Sequence, residues 1–456
     1  MHSAKLTMRR FLPFLFVVFG LPATGFSQDN SPYSRYGLGD LAPNHNVFTR
    51  GMGGISAGVF DYLGNLQGMN SNNFANPAAL ANVTNTIFDI GAEASFRTLK
   101  SLNPVKKFTA ANSYFNYLSL AFPIASEKMK KKDINWGLSF GLKPITRISY
   151  KIENNKRLSS IDSLNTLYEG SGGTNLAYVG TAFRIKGFSL GINAGYMFGN
   201  KDYSTRLAFI NDTVAYAKSN TQSQTNFGGL FLSGGLQYEI VLNKNMKDQL
   251  PKILRFGLYG NLQQKLNANR DNLTETFSYD GNGLPYRVDS VYDQKNIKGK
   301  IEYPSSFTGG FSYQDNHWIF GADFETTNWS KYRYYGQADP LQNKWTIRVG
   351  GQYYPAKQGA SVKKYFNFVR YRAGFYYGPD YIKLNNSRPD FAFTVGTGMP
   401  LTSLQRINWY GEYVMLNTAL EIGGRGNKTN NVKENMVRFS IGIAMNGRWF
   451  RKIKYD

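Results

Sequence analysis

The chain contains no cysteine among its 456 residues. That excludes a disulfide framework and any thiolate metal site. Histidine is nearly as scarce: there are 3, and with His2 in the leader described below, only His45 and His317 remain. Hydrolytic chemistry needs a base beside a nucleophile or a carboxylate pair. His45 falls in a Gly/Asn-rich segment and His317 beside an expected turn, so neither position suits a surface active site. Gly51-Met52-Gly53-Gly54 is not a phosphate loop, because no Lys-Ser/Thr follows. No metal constellation or cofactor motif emerges, and no enzymatic function is expected. Beyond residue 27 no apolar stretch reaches the roughly 20 residues that a membrane-spanning helix requires.

Acidic residues are also in deficit, 30 against 53 Lys and Arg, a net charge of +23. The first residues read as an export signal. Arg9 and Arg10 precede an apolar run from Phe11 to Leu21, then Pro22 and small residues to Ser27. Cleavage after Ser27 would remove Lys5, Arg9 and Arg10, leaving 50 basic against 30 acidic residues, or +20. An exported chain seldom meets nucleic acid. Anionic lipid headgroups or acidic partner proteins suit the surplus better. Part of it sits in Lys128-Met129-Lys130-Lys131-Lys132, expected to be a solvated short turn.

What the chain has in abundance is alternation. From Val437 onward, Val437, Phe439, Ile441, Ile443 and Met445 alternate with Arg438, Ser440, Gly442, Ala444 and Asn446, and Trp449 closes the run. A strand sends successive side chains to opposite faces. One greasy and one polar face fit a strand between lipid and a lumen. Similar runs recur from residue 86, among them Phe88, Ile90, Ala92, Ala94 and Phe96, and Phe188, Leu190, Ile192, Ala194, Tyr196 and Phe198. In the second run Tyr114, Leu118, Leu120 and Phe122 form the expected greasy face. Fourteen runs can be traced, an even number that returns both chain ends to one side. The expected fold is therefore all-β: a transmembrane antiparallel barrel of about 14 strands. Residues 1–27 are the signal peptide, 28–85 an N-terminal hatch or plug inside the lumen, and 86–456 the barrel. Short links are expected after runs two, four, eight and twelve, and longer polar links after one, three, five, seven, nine and thirteen. That asymmetry predicts short periplasmic turns and longer external loops.

Trp136, Trp318 and Trp449 fall at predicted periplasmic strand ends, and Trp329 and Trp345 at outer ends. Indoles favour the membrane–water boundary, so all five are expected there. On the opposite face Arg348, Arg370, Arg372 and Arg438, with Asp323, Glu325 and Glu412, are expected to line the lumen. They could pair with the hatch, or an arginine could hold a substrate carboxylate bidentately.

Asn70-Ser71-Asn72-Asn73-Phe74-Ala75-Asn76-Pro77-Ala78-Ala79-Leu80, ahead of the first strand, resembles the FadL/TodX family of outer-membrane channels for fatty acids and other hydrophobic compounds. The resemblance implies a fourteen-stranded barrel, with Asn76, Pro77 and Ala78 in a hatch. It also implies an inward kink in the third strand, near Gly141 and Pro144, opening a lateral gate. Ser31-Pro32-Tyr33-Ser34-Arg35-Tyr36-Gly37-Leu38-Gly39-Asp40 and Arg50-Gly51-Met52-Gly53-Gly54 look like outer-membrane proteins of the Bacteroidota. Some FadL-like barrels there resemble subunits of machines for protein secretion or barrel assembly. Two functions stay open: passive uptake of hydrophobic small molecules across a Gram-negative outer membrane, or service as a non-catalytic subunit bound to other outer-membrane or periplasmic proteins.

Overall fold

Fourteen strands form the wall in the computed structural model, which describes residues 31–61, 70–102, 105–124, 126–159, 163–210, 217–243, 251–356, 365–384, 386–402, 412–427, 429–430 and 432–447. The expected signal peptide and Trp449 lie outside the described residues. The strands are β1 (Thr86–Leu102), β2 (Val105–Pro123), β3 (Ile134–Arg157), β4 (Ser163–Ile185), β5 (Phe188–Phe209) and β6 (Lys218–Val241). β7 runs in two pieces, Ile253–Asn261 and Gln264–Tyr279, and β8 likewise, Pro285–Tyr303 and Ser306–Gln314. Then follow β9 (Trp318–Thr327), β10 (Lys344–Tyr353), β11 (Arg370–Lys383), β12 (Ser387–Pro400), β13 (Tyr413–Arg425) and β14 (Val432–Gly447). Each pairs antiparallel with its chain neighbours. β14 closes on β1 from Gly447↔Thr86 to Val432↔Ser101, so the sheet is a closed antiparallel barrel.

The pleat sorts the side chains as alternation requires. On β14, Val437, Phe439 and Met445 are exposed, whereas Arg438, Ser440 and Asn446 are buried. The same outward set continues through Ile192, Leu232, Phe256, Phe320, Ile347, Phe393 and Ile422. A continuous apolar exterior over a polar interior is the organisation of a barrel that spans lipid. Among the described residues no helix is long and apolar enough to cross a membrane.

One bulge reverses part of the expected pattern. Gly91 pairs with Tyr117 but Ala92 with Phe115, so Asn116 is an extra residue on β2. A one-residue slip exchanges the faces. Beyond it Phe115 points outward, while the Tyr114 ring lies under the Arg147 guanidinium, 3.9 Å away.

The asymmetry between the two ends also differs from expectation. The end carrying Thr86 and Gly447 is the base; the opposite end is the rim. The link after β1 is only residues 103–104, and the link after β12 is 401–412. Strand length carries the difference instead. β3 has 24 residues and β9 has 10, about 80 Å against about 33 Å of strand. Ten residues suffice to cross a bilayer, so β3 to β8 rise beyond it as a curved palisade. Hairpins that continue the ladder satisfy their own backbone groups, which irregular loops do not. At the base, the basic stretch forms a short helix, Glu127–Lys131, rather than a plain turn.

Candidate functional site

Residues 45–61 and 70–83 are buried throughout and 31–44 in part, and the segment bonds to inward-facing groups around the ring. Charge does much of this seating. Arg50 ends a one-turn helix, Val47–Arg50, capped by Asn46. Its Nη1 lies 2.7 Å from Glu93 on β1 and its Nε 2.6 Å from Glu421 on β13. Glu421 also takes Arg438 of β14 at 3.2 Å, and Glu93 takes Arg147 of β3 at 2.6 Å. Arg438–Glu421–Arg50–Glu93–Arg147 is thus one continuous run of alternating charge. Asp40 joins Arg97 of β1 to Arg425 of β13. Burial alone would raise the Asp40 carboxyl, but Arg425 and Arg97 hold it well below the usual carboxylate range. Asp61 pairs with Arg370 of β11.

Backbone contacts complete the seat. Asp323 of β9 accepts from Ser56 N at 2.6 Å and Ala57 N at 2.9 Å. Gly53 N donates to Thr394 Oγ1 of β12 at 2.8 Å. Asn76 caps the 3-10 helix Pro77–Asn82 by accepting from Ala78 N at 3.0 Å, and its amide donates to Ala57 O at 2.7 Å. This Asn-Pro-Ala element lies on wall glycines: a Cβ on Gly191 would stand 2.4 Å from the carbonyl carbon of Pro77. A Gly191→Val change is expected to push the 3-10 helix off the wall at about 1–3 kcal/mol. Faster proteolysis within 70–83, with the barrel intact, is the readout; unchanged cleavage would refute it.

The wall has a break where β2 leaves β3. Their ladder runs from Pro123↔Gly137 to Leu118↔Leu142 and goes no further, although both strands continue. Gly141 sits in the last paired turns beneath the Tyr178 ring. Pro144 lies two residues past the last pair, and the β3–β4 register is irregular between Pro144 and Thr146. Proline has no N–H to give the ladder. Beyond it β3 takes a new partner, the two-residue strand Asp40–Leu41, through Thr146 and Arg147. Arg147 spans the break, reaching Asn116 Oδ1 at 3.0 Å and Phe115 O at 3.4 Å.

Between the N-terminal segment and the wall lies a cavity of about 200 Å³. Lys143, Lys344, Arg348, Glu325, Asp390 and Glu421 are among the groups that line it. Arg348 pairs with Glu325 at 2.5 Å. His45 borders this space; burial, with Arg348, Arg50 and Lys143 close by, pushes its imidazole pKa well below the usual value and keeps it neutral. His317 binds Tyr354 O at 2.7 Å.

Of the lumen residues chosen from sequence, Asp323 and Arg370 contact the N-terminal segment directly. Arg372 holds Gln352 and Asn417, both at 2.8 Å, with its guanidinium 4.6 Å from the Phe48 ring. Glu412 is a correction: it is exposed and stands one residue before β13, so it is not among the buried charges of the interior. The carboxylate that β13 does bury is Glu421, near the other end of the strand. Trp329 is a second correction. It is buried, 4.5 Å from the Tyr381 ring, because its 3-10 turn Trp329–Lys331 folds inward over the rim. Trp136, Trp318 and Trp345 stand near strand ends, Trp136 stacked on Phe183 at 5.1 Å and Trp318 on Phe320 at 5.0 Å. Glu93, Arg97 and Arg425 were not singled out from sequence, and Asp40 and Arg50 stood there only as members of the N-terminal motifs. Asp89, Glu93 and Arg97, at every fourth position between the greasy residues of β1, were the signal available on that strand.

A family comparison decides the kinship: the BamG family model matches residues 8–456. The chain belongs to the BamG family. No curated protein matches it. Among solved structures this BamG-family barrel is similar to the Pseudomonas putida toluene transporter TodX, with TM-score 0.54 and 13% identity over 90% of this chain and 100% of that one. A Pseudomonas aeruginosa FadL homologue gives TM-score 0.52 and 12% identity, covering 90% and 99%. The Ralstonia pickettii toluene transporter TbuX gives 0.50 and 14%, covering 90% and 99%. At such identities the likeness is one of fold, that of the FadL-type barrel.

Proposed function

We propose that this BamG-family chain is a non-catalytic barrel subunit of a larger outer-membrane complex, of the protein-secretion or outer-membrane protein assembly kind, in a Gram-negative bacterium. Residues 28–85 act as a plug that stays shut, and the barrel is a docking body exported by the leader at 1–27. The observation that carries this reading is the seating of the plug. Its Asp40, Arg50 and Asp61 are each ion-paired to the wall in buried surroundings, and removing one partner from such a pair costs about 3–5 kcal/mol. The remaining cavity is about 200 Å³, where Lys143, Arg348, Glu325 and Asp390 share the lining with Phe74, Leu176, Phe231 and Trp329; small-molecule sites usually offer roughly 300 Å³ or more.

The wall break at Leu142 and Pro144 favours a second reading: a channel that captures hydrophobic compounds, moves its hatch and releases them sideways into lipid. The fold shared with toluene transporters supports it. Mild detergent extraction from the native host, followed by mass measurement, separates the two. The first reading expects stoichiometric companions and uptake of hydrophobic compounds unchanged on deletion. A lone barrel whose loss abolishes uptake would overturn it.

A further inference from the structure

The palisade formed by β3 to β8 has two free edges, and they are built differently. At one side, β3 past the break carries Lys151-Ile152-Glu153-Asn154-Asn155-Lys156-Arg157, with Lys151 paired to Glu169 at 3.0 Å. Charged side chains along an unpaired strand deter further strand pairing. At the other side, β8 bonds to β7 from Pro285 to Tyr303, but its opposite edge meets another strand only at Ile301 and Glu302. Tyr335 covers Ile297 and Lys300. From residue 285 to 296 no described strand pairs with that edge, and every residue there is exposed.

This second edge lacks the protection of the first. Leu284, Tyr286, Val288, Val291 and Tyr292 expose between 49% and 68% of their surface. Bulges can protect an edge; register shifts occur here at Arg287/Asp289, Ser290/Tyr292 and Gln294/Ile297. The first two extrude Val288 and Val291, and only the third extrudes a charge, Lys295, together with Asn296. Acidic and basic residues balance along this strand: Arg287 and Lys295 against Asp289 and Asp293.

The exposed apolar area is on the order of 500 Å². That falls within the roughly 300–600 Å² of the largest apolar patch on a typical monomer, a patch that is often functional, and is short of the roughly 800 Å² per side that a dimer of two globular bodies needs. A row of unpaired backbone N–H and C=O groups is satisfied by extended polypeptide and not by lipid, sugar or a convex protein surface. Twelve residues of such pairing span about 40 Å.

We infer that the free edge of β8, residues 285–296, is a docking strand that takes an extended, uncharged, apolar-alternating segment of a partner protein by β-augmentation. This rests on the subunit reading above and adds to it the surface and the chemistry of one contact. The pairing lies on the rim hairpin, beyond the span of the short strands β9 and β10, so the partner segment stands outside the bilayer on the palisade side.

The test uses the whole protein, isolated and in its native assembly. Amide exchange at 285–296 is expected to slow by about tenfold or more in the assembly, while residues 151–157 stay unchanged. A V288K/V291K double variant keeps the backbone and gives this edge the charge that β3 has. It is expected to fold, as judged by heat-modifiable migration of the barrel, and to lose the companion that protects the edge. An assembly that forms without protection of 285–296, or that the double variant retains intact, would overturn this inference and leave the subunit reading standing. Absence of any companion would overturn both. Protection arising in a homodimer of the isolated protein would replace the assigned partner by a second copy and so reject the assignment.

Discussion

Arg50→Ala is expected to unseat the plug at a cost of about 3–5 kcal/mol. Arg50 lies between Glu93 and Glu421, at 2.7 and 2.6 Å, and is itself buried. Removing it leaves two buried carboxylates with one cation each, Arg147 and Arg438. The loss far exceeds the lost attraction, because two ions taken out of water keep their desolvation penalty. The variant should open channels in a planar bilayer that the parent does not, and residues 31–61 should become accessible to protease. Arg50→Lys should be intermediate, since one ammonium cannot fork to two carboxylates as a guanidinium does. Lys265→Ala is the control: its partner Glu302 is 3.9 Å away and the lysine is exposed, so a change below about 1 kcal/mol is expected. Parent-like conductance and protease resistance in Arg50→Ala would refute the charge-seated plug.

The second large effect tests what surrounds the wall. Phe393 stands midway along β12, faces outward and is 63% exposed. Exposed positions in water tolerate most substitutions within about 0.5 kcal/mol. In lipid, Arg at the midplane of a barrel strand costs about 2–4 kcal/mol. Phe393→Arg is therefore expected to destabilise the barrel by that larger amount in reversible urea unfolding from vesicles, while Phe393→Leu stays within about 1 kcal/mol. A neutral Phe393→Arg would mean that the greasy belt does not face hydrocarbon. Thr394, the next residue, faces inward, accepting from Gly53 N and donating to Gly51 O. Its replacement by Val should instead loosen the plug.

The barrel was legible because its signal is local and repeated. Each strand declares its two faces within ten residues, and fourteen repetitions define the closed sheet. The details that escaped share a different cause. Tyr114 and Phe115 exchange faces because of one extra residue, Asn116, whose presence depends on the register of β1. The rim is built from extended hairpins because β3 to β8 keep pairing, which composition alone does not distinguish from polar loops. Trp329 turns inward because Tyr332 and Tyr381 are there to meet it.

By itself the sequence determined the greasy and polar faces wherever the ladder runs without a bulge, the strand number and the absence of cysteine chemistry, since these follow from spacing and composition along a single chain. Tertiary structure alone decided which charges meet. Arg50 finds Glu421, 371 residues away, only when β14 closes on β1. It also decided that the β2–β3 ladder stops at Leu142, and that the β8 edge exposes Tyr286, Val288, Val291 and Tyr292 where the β3 edge exposes Lys151, Glu153, Lys156 and Arg157. Ion pairs and strand edges are properties of neighbours in space, and no periodicity in the chain encodes them.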